Sequence, residues 1–138
     1  MTAVDVFLDT NVLVYAYDRD AGNKHEKALR LVRGFWERGE VPVLSIQVLQ
    51  EMHVNLVRRG IGVEQSANIV EQYLAWRVVS NTKPIFRRAL EVQRRWQLSF
   101  WDSSIVSAAQ QARVRELWSE DFNPGQVYNG VLVVNPLN

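Results

Sequence analysis

The chain has 138 residues, enough for one domain with a buried core, and its 47% hydrophobic and 22% charged content excludes a disordered polymer. It contains no cysteine, which removes disulfides, thiolate metal sites and a cysteine nucleophile, and fits a cytoplasmic setting. Net charge is +1 and the longest apolar runs, such as Val131 to Val134, are far too short for a bilayer span, so neither a polyanion nor a membrane is indicated by bulk properties. Residues 1–8 carry no basic leader.

No repeat, low-complexity tract or Pro/Gly/Ser-rich linker interrupts the chain, so one domain over residues 1–138 is expected. Val4 to Leu8 is an apolar, β-branched run that ends at Asp9-Thr10-Asn11, and Val12 to Tyr17 reads as a short helix entered through that polar triplet. From Glu26 to Glu37 the apolar residues Ala28, Leu31, Val32, Phe35 and Trp36 follow a helical period, closed by Gly39. Val41 to Leu44 is a second strand. Ser45 then caps a helix running to Arg59-Gly60. Val63 to Ala75 reads as a helix with Val63, Ala67, Val70 and Leu74 inward. Pro84 to Trp96 reads as another, with Ile85, Ala89, Val92 and Trp96 inward and Arg87, Arg88, Arg94 and Arg95 outward. Ser99 opens a helix through Ala112, Glu116 to Ser119 is a strand, Asn123-Pro124-Gly125 a turn, and Val131 to Val134 a last strand. Strands separated by helices imply a mainly parallel sheet in a layered α/β fold.

Charge is unevenly spread along this order. Between Arg77 and Arg115 there are eight basic residues against two acidic ones, a net +6, which leaves about −5 for the rest. Such separation can steer a polyanion to one face, although an arginine-rich helix face is equally a solvated one.

Four acids stand at informative places. Asp9 sits where a strand gives way to a helix; ligand sites in open α/β sheets gather at the carboxyl ends of strands, but Asp-Thr-Asn also suits a helix N-cap. Glu51 lies in a stripe with Gln47 and Asn55, which alone reads as an exposed polar face. Ser99-Phe100-Trp101-Asp102 has the Ser/Thr-x-x-Asp/Glu form of a capping box, yet Asp102 also heads the inward stripe Ile105, Ala109 and Ala112. Asp121 follows Trp118-Ser119-Glu120 at a strand end, where a solvated loop would serve as well. The combination says more than its members, because at least three fall at a strand end or helix start. Like charges gathered there raise one another's pKa unless a cation intervenes, and Mg²⁺ or Mn²⁺ prefer oxygen ligands. His25 and His53 are too few and too distant from these junctions for zinc. An acidic metal site paired with an arginine-rich segment points to phosphodiester hydrolysis.

These residues resemble the PIN-domain nucleases, and within them the VapC-type toxins of bacterial toxin–antitoxin pairs. The matching pieces are Phe7-Leu8-Asp9-Thr10-Asn11, Gln50-Glu51, Phe100-Trp101-Asp102 and Leu117-Trp118-Ser119-Glu120-Asp121-Phe122. Gly125-Gln126, Gly130-Val131 and Val133-Val134-Asn135-Pro136 follow in register, so the resemblance spans essentially the whole chain. It implies a three-layer α/β/α sandwich around a small, mainly parallel sheet. It further implies an Mg²⁺ or Mn²⁺ site formed by Asp9, Glu51, Asp102 and Asp121, with Asp9 and Asp102 as direct ligands. Glu51 and Asp121 would bind a second ion or hold its waters, with Thr10 and Asn11 in support. The implied activity is endoribonucleolytic, breaking the P–O3′ bond. The implied partners are RNA, a small antitoxin whose C-terminal segment covers the site, and a second copy in a homodimer. Glu120 beside Asp121 leaves open which of the two enters the site.

Three other readings compete. A metal-free ribonuclease would need His25 and His53 to converge as acid and base. An aspartyl-phosphate phosphatase would need a second acid two residues after Asp9, where Asn11 stands. A non-catalytic adaptor would tolerate loss of an acid, and all four are present. Within the resemblance, a housekeeping RNA-processing nuclease is the alternative to a toxin. The five tryptophans read as core residues, Trp36 and Trp96 above all, or as an interface or base-stacking surface.

Overall fold

The computed structural model describes residues 1–138. The first strand, β1 (Thr2–Leu8), becomes fully buried only at its end, where Phe7 and Leu8 lie. It leads into α1 (Thr10–Tyr17), a short helix with Val12, Leu13, Val14 and Ala16 all buried. A 3₁₀ turn at Arg19–Ala21 precedes α2 (Asn23–Arg38). Gly39 ends that helix in the left-handed region (φ 64°), its N–H donating to the carbonyls of Phe35 and Trp36. Then come β2 (Glu40–Ser45), α3 (Ile46–Arg58) capped by the Ser45 hydroxyl, α4 (Val63–Gln72) and β3 (Arg77–Val79). Thr82 caps α5 (Lys83–Trp96) and Ser99 caps α6 (Phe100–Gln111). The chain closes with β4 (Glu116–Trp118), β5 (Val127–Tyr128) and β6 (Val131–Val134).

The six strands form one sheet in the order β3-β2-β1-β4-β6-β5, parallel throughout except for β5 against β6. Strand order therefore runs outward from β1 through β2 to β3, then returns to the other side of β1 with β4. Right-handed crossovers place helices on opposite faces for the two directions. The packing agrees, since α1 contacts α2 and α3, and α3 contacts α4, while α5 pairs with α6. The reversal leaves a crevice between the carboxyl ends of β1 and β4, the place where open α/β sheets hold ligands.

Several expectations need correction. The helix expected over Val63 to Ala75 stops at Gln72 and continues as a 3₁₀ turn at Tyr73–Ala75. Only half of the apolar stripe faces inward: Ala67 and Val70 are half-buried, Val63 and Leu74 are exposed, and Ser66 and Tyr73 are fully buried. Hydrogen bonds explain the rotation. Ser66 pairs with Nδ1 of His53 at 2.9 Å and the Tyr73 hydroxyl with that of Tyr17 at 2.6 Å, so polar atoms are satisfied inside the packed face. Two strands were not anticipated. The three-residue β3 is too short to show an alternation, although Ser80-Asn81-Thr82 follows it, whereas β5 joins β6 through Asn129-Gly130, both at positive φ (48° and 88°), the two-residue turn that suits a hairpin. Trp36 is 38% exposed rather than core, although it packs against Tyr73 and Trp76.

Candidate active site

Asp9 follows β1 directly, and its N–H donates to the carbonyl of Trp118 at 3.0 Å, which ties it to the end of β4 across the reversal. Its carboxylate is 5% exposed. Oδ1 accepts the Thr10 N–H at 2.7 Å, and Oδ2 accepts the Ser119 hydroxyl at 2.7 Å. The capping interpretation is thus half right: one oxygen serves the first turn of α1, while the other is drawn to the neighbouring strand. No cation accompanies it. Burial pushes its pKa up to about 7, against the pull of both hydrogen bonds and helped by the charges of Asp121 and Glu51.

The first two residues of α1 reach the acids on either side. The Thr10 hydroxyl donates to Oε1 of Glu51 at 3.3 Å, and Nδ2 of Asn11 donates to Oδ2 of Asp121 at 3.2 Å. Glu51 is half-buried instead of lying on an exposed face. It also accepts from Nε2 of Gln47 at 3.2 Å, one turn back along α3. Ser119, itself fully buried, accepts the Asp121 N–H at 3.0 Å while donating to Asp9, so it links two of the acids. Asp102 stands in the first turn of α6. Ser99 accepts its N–H at 3.1 Å, which is one half of a capping box, and Asp102 is half-buried.

Burial is the main cause that raises the pKa values of Glu51, Asp102 and Asp121, as it is for Asp9. Mutual repulsion adds to it. Asp102 and Asp121 push on Glu51, and Glu120 and Asp102 push on Asp121. The structure therefore brings Glu51 and Asp121 within electrostatic reach of both Asp9 and Asp102, and none of the four has a salt-bridge partner.

Glu120 behaves differently. It accepts the Tyr15 hydroxyl at 2.5 Å and pairs with Nζ of Lys24 at 2.8 Å, and these contacts lower its pKa in spite of partial burial. Of the two adjacent acids, Asp121 is the one held beside Asn11 and Ser119, and Glu120 is held by α1 and α2. Tyr15, Lys24 and Ser119 were missed as neighbours of these acids by sequence reasoning. Only the adjacency of β1 and β4, invisible in the chain order, brings them near.

All donors offered by the four acids are hard carboxylate oxygens, which suits Mg²⁺ or Mn²⁺. No three of them close into a ready cage. That also fits such an ion, because Mg²⁺ is usually bound through one or two carboxylates, several waters and substrate phosphate. The histidines line different clefts. Nδ1 of His25 bonds the carbonyl of Tyr15 and Nδ1 of His53 bonds Ser66, so an acid–base pair is not assembled. On α5, Arg87, Arg94 and Arg95 are exposed and Arg88 is half-buried. None of them meets an acid: Arg88 reaches Gln111, Arg94 the carbonyl of Leu90, and Arg95 stacks on Trp96.

A switch-point crevice lined by carboxylates is the arrangement of a PIN domain, and the PIN domain family model matches residues 6–128: the chain belongs to the PIN-domain family. Its fold is similar to that of VapC20 from Mycobacterium tuberculosis, a sarcin-ricin loop cleaving toxin, with a TM-score of 0.67 and 20% identity over 84% of this chain and 89% of that one. It is also similar to a toxin–antitoxin complex from Klebsiella pneumoniae (TM-score 0.72, 18% identity, 95% of this chain and 97% of that one). A third similar structure is VapBC2 from Rickettsia felis, bound to a DNA fragment from its promoter (0.64, 16%, 93% and 96%). At these identities the likeness is one of fold. No curated protein matches the sequence significantly. No helix is long and apolar enough to cross a membrane.

Proposed function

We propose that the chain is a divalent-metal-dependent endoribonuclease, the toxin of a toxin–antitoxin pair. The observation that carries this reading is the set of four carboxylates at the β1–β4 crevice, held by neutral donors and left without a cationic side chain. Carboxylates gathered this way raise one another's pKa and destabilise the fold unless a cation joins them. Asp9 and Asp102 are assigned as direct ligands, and Glu51 and Asp121 as ligands of a second ion or acceptors for its waters. Thr10, Asn11 and Ser119 orient these acids. A divalent ion bound there supplies Lewis acidity toward a phosphate oxygen and lowers the pKa of water.

The chain's own contribution is positional. Asp9 is fixed at both oxygens, so its direction does not depend on the ion. Gln47 and Thr10 together hold one oxygen of Glu51 and leave the other open. Attack by water on phosphorus in line with O3′ breaks the P–O3′ bond and leaves 5′-phosphate and 3′-hydroxyl ends. The Arg87, Arg88, Arg94 and Arg95 side chains, free of acids, are proposed to hold RNA phosphates. Their charge reversal should weaken RNA affinity and flatten its salt dependence. An antitoxin that covers the crevice follows from the same reading, supported by the toxin–antitoxin neighbours, and a homodimer and a cytoplasmic location are proposed with it.

The test is cleavage of RNA by the purified protein with Mg²⁺ or Mn²⁺ and with EDTA, together with mapping of the product ends. Metal-dependent cutting with 5′-phosphate ends is expected, along with growth arrest on expression that Asp9→Asn relieves. An Asp102→Asn protein that cuts at the wild-type rate, or cyclic phosphate ends made in EDTA, would overturn the assignment.

A further inference from the structure

Beside the carboxylates lies a group of aromatic side chains that the core does not use. Trp101 is 64% exposed and Phe86 is 55% exposed, with half-buried Phe100 between them. Phe100 meets both rings edge-on, at centroid distances of 5.8 Å to Phe86 and 5.2 Å to Trp101. Leaving two large apolar side chains mostly in water forgoes the favourable burial of their surface.

The three rings border a cavity of about 220 Å³ where α3, α5 and α6 begin, and its polar lining includes the amides of Gln47, Gln50 and Asn81. No charged side chain lines it. The volume is below the roughly 300–1,000 Å³ of a site for a drug-sized ligand, so it suits a single ring system. Gln47 joins this cavity to the carboxylates. Its Nε2 donates to Oε1 of Glu51 at 3.2 Å and to the carbonyl of Trp101 at 3.1 Å, and Trp101 immediately precedes Asp102.

Aromatic walls, amide edges and a carboxylate site one residue away are the features that suit one unpaired nucleobase. Every base has a face that stacks on aromatic rings, and single-stranded RNA is recognised by splayed bases read along their edges. A side-chain amide carries both donors and an acceptor, so it can discriminate among those edges. A protein partner would find a better match in the groove between α3 and α4, where Val54 and Leu74 are 46% and 56% exposed. We propose that the Phe86–Phe100–Trp101 cavity holds one base of the RNA strand next to the phosphate that is cut, and that Gln50 and Asn81 read its edge. This inference rests on the ribonuclease reading.

The experiment measures binding of short single-stranded A, C, G and U oligoribonucleotides to Asp9→Asn protein, and cleavage patterns in the Asp9 background, each with and without changes at the cavity. Trp101→Ala and Phe86→Ala should weaken binding about 5- to 150-fold, the fold-change matching about 1–3 kcal/mol per stacked base. Trp101→Phe should restore most of it. Asn81→Ala should alter which base flanks the cut. Both aromatics are exposed, so loss of the fold does not obscure the result. If Trp101→Ala and Phe86→Ala protein binds and cuts as its parent does, at the same positions, the proposal is overturned while the ribonuclease reading stands. If Trp101→Ala instead dissociates a dimer in sedimentation and leaves the cut sites unchanged, the face belongs to a second copy and the proposal is likewise overturned. Wild-type protein that neither binds nor cuts RNA with Mn²⁺ overturns both.

Discussion

Two sets of carboxylates in this molecule have opposite company. Around the crevice, Asp9, Glu51, Asp102 and Asp121 are met by hydroxyls, amides and backbone N–H groups only. Away from it, Glu120 pairs with Lys24, Asp18 with Arg59, Glu40 with Arg38 and Asp5 with Arg115. The chain holds 16 lysines and arginines, yet none pairs directly with a crevice acid, and only Lys24 acts on one of them, Asp121, from its place beside Glu120. Glu120 and Asp121 make the contrast sharpest, because they are adjacent in sequence yet shifted in opposite directions. The difference teaches that partner charge, more than the presence of an acid, separates a carboxylate left open to a ligand from one tied into an ion pair.

The largest expected effect follows directly. Asp9→Asn or Asp102→Asn should cost several kcal/mol of transition-state stabilisation, about a thousandfold in cleavage rate, while Glu120→Gln stays within tenfold of wild type. Equal losses in a cleavage assay would break the distinction between the two sets. Next comes stability without divalent cation. The folded pKa of Asp9, about 7, lies above its ordinary value of 3.8, so the folded state binds the extra proton between them. Its contribution is therefore fully present below pH 3.8 and lost as pH rises toward 7, by on the order of 4 kcal/mol. Denaturant melts in EDTA should show this decline. Asp9→Asn should remove it and raise stability near neutral pH, and Mg²⁺ or Mn²⁺ should flatten it in the wild type. A wild-type midpoint that rises from pH 4 to 7 in EDTA would contradict the buried, unpaired state of this acid.

Smaller effects sharpen the comparison. Ser119→Ala removes the donor to Asp9 and an acceptor for the Asp121 N–H, and should lower metal affinity or activity about 10- to 100-fold, as loss of an orienting partner does. Calorimetric titration with Mn²⁺ would read it. Smallest of all, Lys24→Ala should change stability only slightly at neutral pH, because solvent screens the exposed cation. Glu120 has the opposite sign to Asp9. Its depressed pKa contributes stability above the ordinary carboxylate range that is lost as pH falls through the folded value. A double-mutant cycle of Lys24 and Glu120 would measure the pair.

Much of this was legible in the chain. Asp9, Asp102 and Asp121 could be placed at element junctions because an apolar run, a helical stripe and a turn signal bracket each one. Glu51 could not, since Gln47-Glu51-Asn55 looks like any solvated helix face; only the approach of Thr10 from α1 makes it part of a site. Whether Glu120 or Asp121 entered the crevice was undecidable, because Tyr15 and Lys24 lie about a hundred residues away and their proximity depends on β1 pairing with β4. The apolar stripe of α4 misled for another reason. Period alone counts greasy residues, whereas the packed face is chosen by which polar atoms can be paired, here Ser66 with His53 and Tyr73 with Tyr17. The short β3 and β5 carry too few residues for any alternation to register.

The contact between Asp9 and the end of β4 has a mechanical side. The two halves of the sheet are wound in opposite directions and meet along the β1–β4 seam, where three residue pairs stand in register. Asp9 belongs to one half, Ser119 and Asp121 to the other, and α6 brings Asp102 from the far layer. A divalent ion bound by acids from both halves would act as a rivet through the seam. At a hundred times its dissociation constant it would add about 2.7 kcal/mol to the folded state. Catalytic competence and the rigidity of the joint would then rise and fall together with the supply of that ion.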